Sequence, residues 1–252
     1  MKIRTFFTVL ILTLSLAVHA SYDFNVSNPQ IVGTFSGTKT VPLTLACWIK
    51  YANHPESNDW AFTLHKDANN DELVSLESSA TAYRLDARQY NSSGSDAAFH
   101  TSSTGEYDGV WVPWVGTFES TSVWNVFVEL ITNTNERSAS RDPGPIDQIT
   151  IGTSPAGTAD WITLIAECAI WDGELIDPDA ALYMNGTCAK NIDNANLIGY
   201  WSLDHNDSTP NDESGNSGPT LTVTNATFNA DHPAISCGVV PITVTHRRRR
   251  IS

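Results

Sequence analysis

The sequence predicts an all-β fold, a single two-layered sandwich that carries one short helix. Three observations lead there. Strand-length runs of alternating, β-branched or aromatic residues recur along the chain, and clusters of Gly, Pro, Asn, Asp and Ser separate them. Helix signals are confined to one segment, Asp177–Met184. Beyond the amino-terminal apolar run about 230 residues remain, a size that all-β domains often reach as one unit. No internal repeat marks a second domain.

The chain opens with Lys2 and Arg4, an apolar run at Phe6–Val18, and the small-residue ending Val18-His19-Ala20. This is the pattern of a secretory signal peptide cleaved after Ala20. The run is shorter than the roughly 20 residues that span a bilayer. The sequence therefore predicts a signal at 1–20, a sandwich at 21–236 and a basic tail at 237–252. The mature chain is expected to be secreted, at a cell surface or on a particle, with no membrane span.

Tyr22–Val26 and Ile31–Phe35 read as entry strands. Leu43–Lys50 alternates, with Leu43, Leu45, Cys47 and Ile49 on one face and Ala46 and Trp48 on the other. Trp60–His65, Leu73–Leu76 and Ala82–Arg88 follow at sandwich spacing. Tyr90–Thr104 is polar and reads as a loop beside one weak strand. Trp124–Thr132 reads as one strand, with Trp124, Val126, Val128 and Leu130 sharing a face. Gln148–Thr153 is a short β-branched run between proline and glycine turns. Trp161–Trp171 is a longer strand. Strict alternation places Ile162, Leu164, Ala166, Cys168 and Ile170 on one face and Thr163, Ile165, Glu167, Ala169 and Trp171 on the other. Asp177 is the expected helix cap, Pro178 the first helical residue, and Asn185-Gly186 the stop. Leu197–Leu203 and Leu221–Val223 form the last strand pair, across an acidic loop.

Charge excludes some partners. Of 14 basic residues, Lys2 and Arg4 precede the apolar run and Arg247–Arg250 close the chain, which leaves eight against 28 acidic residues. A body near −20 repels nucleic acid and anionic lipid. The run Arg247, Arg248, Arg249 and Arg250 could dock on an acidic partner, a second copy of the chain included. Four cysteines in an exported chain allow three disulfide connectivities. Cys188 and Cys237 fall in loop-like segments and are the expected bridge. Cys47 and Cys168 fall on core strands, where they either pair as a second bridge or fill apolar space.

The segments IDQITIG, IAECAIWDGEL, DPDAAL and LIGYWSLD, with LTLACWIK and SVWNVFVELITNTNERSASR upstream, resemble a laminin-G-like jelly roll of the concanavalin A-like lectin/glucanase superfamily. With Ala230–Pro233 and the arginine-rich end, the pattern is similar to domains of tailed-phage and environmental bacterial proteins. The resemblance implies the strand order of a jelly-roll sandwich. It also implies a Ca²⁺ site near the rim, for which Asp204, Asn206, Asp207 and Asp212 are the oxygen-rich candidates and Asp67–Asp71 a second set. Glucanases of this fold carry paired carboxylates on one strand face; Glu106-Tyr107-Asp108 approaches that pattern, but Trp111 stands where the second glutamate belongs. The chain is therefore expected to be no enzyme. Its expected role is a carbohydrate-binding or surface-recognition module, the alternative being a structural or decoration protein of a virion or extracellular assembly. Sugars present apolar ring faces edged by hydroxyls, so an exposed indole is the first feature to seek. Trp111 and Trp114, set around Pro113, and Trp60, after a polar run, are the candidates; Pro113 removes a backbone donor, so its segment is expected at a sheet edge or a bulge. Trp48, Trp124, Trp171 and Trp201 fall in regular strand patterns and are expected in the core.

Overall fold

The computed structural model describes residues 21–24, 29–51, 59–66, 72–79, 84–101, 106–128, 131–136, 141–156 and 162–237. The expected signal peptide, the Asp67–Asp71 candidate and the arginine tail lie outside them. The strands are β1 (Ser21–Asp23), β2 (Gln30–Lys39), β3 (Leu43–Tyr51), β4 (Trp60–His65), β5 (Leu73–Ser79), β6 (Arg84–Asn91), β7 (Gly94–Thr101), β8 (Trp111–Phe118), β9 (Val123–Val128), β10 (Ile131–Glu136), β11 (Ile146–Ile151), β12 (Ile162–Asp172), β13 (Leu197–Trp201), β14 (Thr222–Thr224) and β15 (Thr227–Asn229). One α-helix, α1 (Asp177–Met184), and a 3₁₀ turn at Ala189–Asn191 sit between β12 and β13.

Two antiparallel sheets result. The eight-stranded sheet runs β10-β9-β8-β3-β12-β1-β15, and β13 also pairs with β12. The seven-stranded sheet runs β14-β2-β11-β4-β5-β6-β7. Their facing surfaces enclose the main core, which includes Leu45, Ile49, Leu76, Trp114, Trp124 and Trp201. The alternation of β3 holds: Leu43, Leu45, Cys47 and Ile49 point into this core, while Ala46 and Trp48 join a second cluster on the outer side of the eight-stranded sheet. That cluster is built from Trp171 of β12, Ala180, Tyr183 and Met184 of α1, and Leu197 and Tyr200 of β13.

The alternation of β12 does not hold. Between Ala166, opposite Trp48, and Ala169, opposite Ala46, three steps of β12 face two of β3. Glu167 takes up the extra residue in the left-handed region, at φ 57°. Ile165 and Cys168 consequently share the core face, and everything after the bulge is displaced by one residue. The bulge also divides the far edge of β12, with β1 pairing along Leu164–Ile165 and β13 along Cys168–Trp171.

Four other expectations change. The polar stretch after Tyr90 is a full strand, β7, paired with β6 along its whole length. The run Trp124–Thr132 is two paired strands, with Val128 opposite Ile131; the sequence from Val128 to Ile131 has neither Gly nor Asn, the residues by which a hairpin is recognised. The helix begins at Asp177 itself, behind Ile176, with no side-chain cap; Asp177 and Asp179 in the first turn offset the dipole instead. Pro113 is expected at a sheet edge or a bulge, yet β8 lies inside the sheet between β3 and β9. The register explains this: β9 covers only Trp114–Phe118, so Trp111–Pro113 have one neighbour, β3, and a missing N–H is tolerated there.

Candidate functional site

The two sheets treat their outer surfaces differently. On the eight-stranded sheet, α1, the 3₁₀ turn and residues 231–237 cover the strands. Trp171 meets Tyr183 edge to face at 6.1 Å, and its Nε1 donates to the Ile192 carbonyl. Cys188 and Cys237 form a disulfide with Cα atoms 4.8 Å apart. Cys188 N donates to Ser236 O and Ser236 N to Gly186 O, so the carboxy-terminal segment runs beside the helix exit. Cys47 and Cys168 are both buried and unbonded, so the second bridge is not formed; they fill core space.

The bulge residue sits beneath this cover. Glu167 is buried on the outer side, its Oε2 accepting from Tyr200 Oη at 2.5 Å and its Oε1 lying 3.1 Å from His232 Nε2. Tyr183 Oη donates to the Glu167 carbonyl. Burial pushes the Glu167 carboxyl above its usual range, against the pull of His232 and Tyr200. Burial pulls the His232 imidazole down, but the Glu167 carboxylate beside it outweighs this and holds the ring above its usual value. Next to His232, Asp231 takes Lys50 Nζ at 2.6 Å and Trp111 Nε1 at 3.0 Å. These contacts fasten the carboxy-terminal segment to β3 and β8.

The outer surface of the seven-stranded sheet carries polar side chains instead. Leu85 and Ala87 of β6 face the core, so Arg84, Asp86, Arg88 and Tyr90 face outward; Val74 and Leu76 of β5 place Glu77 on the same side. Asp86, fully buried, accepts from Arg84 through Nε and Nη2 at 3.1 and 2.9 Å, and from Arg88 Nη2 at 2.5 Å. Arg88 Nε lies 2.6 Å from Glu77 Oε1, an ion-pair contact rather than an aligned hydrogen bond. Tyr90 Oη donates to both Glu77 oxygens, at 2.8 and 2.9 Å. Burial pushes the Glu77 carboxyl up to about 7, although Arg88 and Tyr90 pull the other way.

Aromatic rings flank this network. Half-buried Trp60 stacks on Tyr90 with centroids 5.6 Å apart and planes 27° from parallel. At the other end Arg84 lies 4.0 Å from the centroid of Phe99, which is 46% exposed. A polar groove of about 420 Å³ continues the same surface across β14, β2, β11 and β4, lined by Gln30, Thr34, His65, Gln148, Thr150 and Thr222.

The structure sorts the residues singled out from sequence. Trp60 stands on the open surface. Trp111 is half-buried beside His232, at the cover of the other sheet. Trp114 is completely buried, so the expectation of a stacking face there is corrected: the indole points into the main core because β8 is a regular strand at that position. Trp48, Trp124, Trp171 and Trp201 are buried as expected. Asp204 and Asp207 line a pocket of about 320 Å³ with Glu213, but Asp212 does not join them. Its Oδ1 accepts from the N–H groups of Tyr200 and Ser214, and its Oδ2 from Gly218 N and Ser214 Oγ; this carboxylate pins a loop. Asp204 and Glu213 both accept from Ser202 Oγ, Asp207 is held by Thr209, and Asn206 is exposed. Among the described residues no group of three or more His, Cys, Asp or Glu side chains could hold a metal ion. Glu106 and Asp108 are exposed before β8. Sequence reasoning missed Arg84, Asp86 and Arg88. Their i, i+2, i+4 charge alternation opposite Leu85 and Ala87 was the available signal.

The laminin G-type profile of the concanavalin A-like lectin/glucanases superfamily matches residues 25–181. The chain belongs to this superfamily. Solved structures agree in fold. A candidate carbohydrate binding protein from Bacteroides ovatus superposes with TM-score 0.61 at 14% identity, over 88% of this chain and 63% of its own. The chain thus spans less than two thirds of that protein. The enzymatically active domain of tailspike protein 2 from bacteriophage CBA120 gives 0.51 at 14% identity, over 68% of this chain and 28% of its own. The heptameric SAP-like pentraxin of Limulus polyphemus gives 0.50 at 13% identity, over 67% and 82%. A comparison with curated protein sequences finds no match. The superfamily profile ends within α1, so the disulfide and the carboxy-terminal segment lie beyond the matched part.

Proposed function

We propose that the protein is an exported, non-catalytic carbohydrate-binding module whose ligand lies on the open surface of the seven-stranded sheet. The observation that carries this is the half-exposed Trp60 stacked on Tyr90 at the margin of a hydrogen-bonded arginine–carboxylate network. A sugar ring can lay its apolar face on the indole while fixed polar groups meet its hydroxyls. The groove over β14, β2, β11 and β4 offers further polar contacts to a longer chain. The Bacteroides protein, a candidate carbohydrate binding protein, and the superfamily itself support the same reading. Export is supported by the disulfide and by the amino-terminal sequence pattern. Catalysis is disfavoured because Glu77 and Asp86 are buried and committed to Arg84, Arg88 and Tyr90. Assembly through a broad apolar surface is disfavoured because the exposed large apolar residues among those described are spread over β7, the turn before β8, α1 and β15.

The test is Trp60→Ala on a glycan array, with the melting temperature measured in parallel. Loss of binding at an unchanged melting temperature supports the reading. Full binding by the variant places the ligand elsewhere.

A further inference from the structure

We infer that the open surface selects acidic sugars, and that Arg84 and Arg88 together receive the sugar carboxylate; this rests on the reading of that surface as the glycan site. The geometry begins with Asp86. One of its oxygens, Oδ2, accepts from Nη2 of both arginines, so the two guanidinium groups converge on a single atom and stand closer together than the sum of their two contacts, 2.9 and 2.5 Å. Asp86 is fully buried behind them, whereas the arginine side chains are 24% and 19% exposed. The carboxylate is thus screened from a ligand, and the guanidinium groups are what a ligand meets.

Donor capacity points the same way. Each guanidinium carries five N–H groups. Arg84 uses Nε and one Nη2 hydrogen on Asp86; Arg88 uses one Nη2 hydrogen on Asp86 and turns Nε to Glu77. The hydrogen bonds to Asp86 run through Nε and Nη2, and Nη1 of neither arginine takes part in them. Two planar donor sets at one place match a carboxylate, which takes paired parallel N–H bonds. The fixed aromatic flanks, Phe99 on Arg84 and Tyr90 beside Arg88, hold both groups in place and reduce the ordering cost of binding.

Charge elsewhere does not cancel this. The protein carries a net −14, but at physiological ionic strength the screening length is about 8 Å, so groups in contact with the ligand dominate over distant carboxylates. Among the described residues, the charged groups gathered at the site are Arg84, Arg88, Asp86 and Glu77. The other body cations with recorded ion pairs are spent on partners: Lys50 on Asp231 and Lys66 on Glu72.

The experiment is calorimetric titration of the purified protein with uronate and sialate oligosaccharides, each beside the same oligosaccharide with its carboxyl reduced to an alcohol. A sulfated neutral polysaccharide controls for general polyanion binding. The expected result is that at least one acid binds tenfold or more tighter than its reduced counterpart, and that Arg84→Lys and Arg88→Lys each collapse that ratio towards one. Each lysine keeps the charge but loses the planar donor pair, so a fold that survives substitution isolates the geometry. Equal or tighter binding of the reduced sugars, or an unchanged ratio in both lysine variants, overturns the inference while Trp60-dependent binding leaves the site in place. Equal binding of the sulfated polymer also overturns it. Binding that ignores Trp60→Ala, or no binding by any glycan, removes the site itself.

Discussion

Glu77 and Glu167 are both buried glutamates on the outer side of a sheet, and they are buried for different purposes. Glu167 lies under α1 and the disulfide-linked segment, where it fastens one part of the chain to another through Tyr200 of the neighbouring strand β13 and His232. Glu77 lies under side chains of its own sheet, Arg88 and Tyr90, whose outer parts face solvent. The same residue type on equivalent surfaces serves closure on one sheet and presentation on the other. Among the described residues, what decides the difference is the chain after β12, which supplies a cover to the eight-stranded sheet only.

The sharpest way to separate the two kinds of position is a pair of tryptophans. Trp114→Ala should cost about 3–5 kcal/mol in unfolding free energy, as truncation of a buried aromatic does, and should leave the glycan site without direct effect. Chemical denaturation measures it. Next, Cys237→Ala removes a crosslink across 49 residues; the loss should be about 2–4 kcal/mol, read as a lower melting temperature, with little change in glycan affinity because the cover is on the other sheet. Trp60→Ala should reverse that pattern: about 1–3 kcal/mol of binding, or roughly tenfold to a hundredfold in affinity, with little change in melting temperature.

The last prediction is the pH slope, to which both glutamates contribute with one sign. Glu77 has its carboxyl raised from 4.5 to about 7 in the folded protein, so between these values the native state holds a proton that the unfolded chain has released. Glu167 is raised as well, and His232 lies above 6.5. Stability should therefore fall as pH rises from about 5 to 7, by up to about 1.4 kcal/mol per pH unit for each proton involved. Glu77→Gln should flatten the slope over pH 5–7 and Glu167→Gln should flatten it too, the first without loosening the carboxy-terminal segment. A stability that climbs over this range would contradict both assignments.

Strand positions and the β3 alternation could be read from the residues because period-2 burial leaves a direct trace in the sequence. The bulge at Glu167 could not. A single residue in the left-handed region reverses inward and outward, and nothing in Ala166-Glu167-Cys168 announces it, since Gly or Asn would be the usual sign. Trp114 was misassigned for a related reason: Pro113 correctly indicated a missing neighbour, but only for the first three residues of β8, and the indole lies just inside the paired part. The arginine network was overlooked because charged residues on a strand face normally indicate plain solvent exposure. Their convergence on Asp86 depends on rotamers and on β7, a strand that the polar sequence concealed.

Cys237 lies on the side of the sandwich opposite Trp60, with the two layers and their core, about 10 Å between sheets, separating them. The molecule therefore has a back and a front. A carrier, label or solid support joined after this cysteine attaches at the back, and the aromatic rings of β4 and β6 then face outward from it. Immobilisation through that end leaves the front free for measurement, whereas a graft in the turn between β6 and β7 would stand beside it.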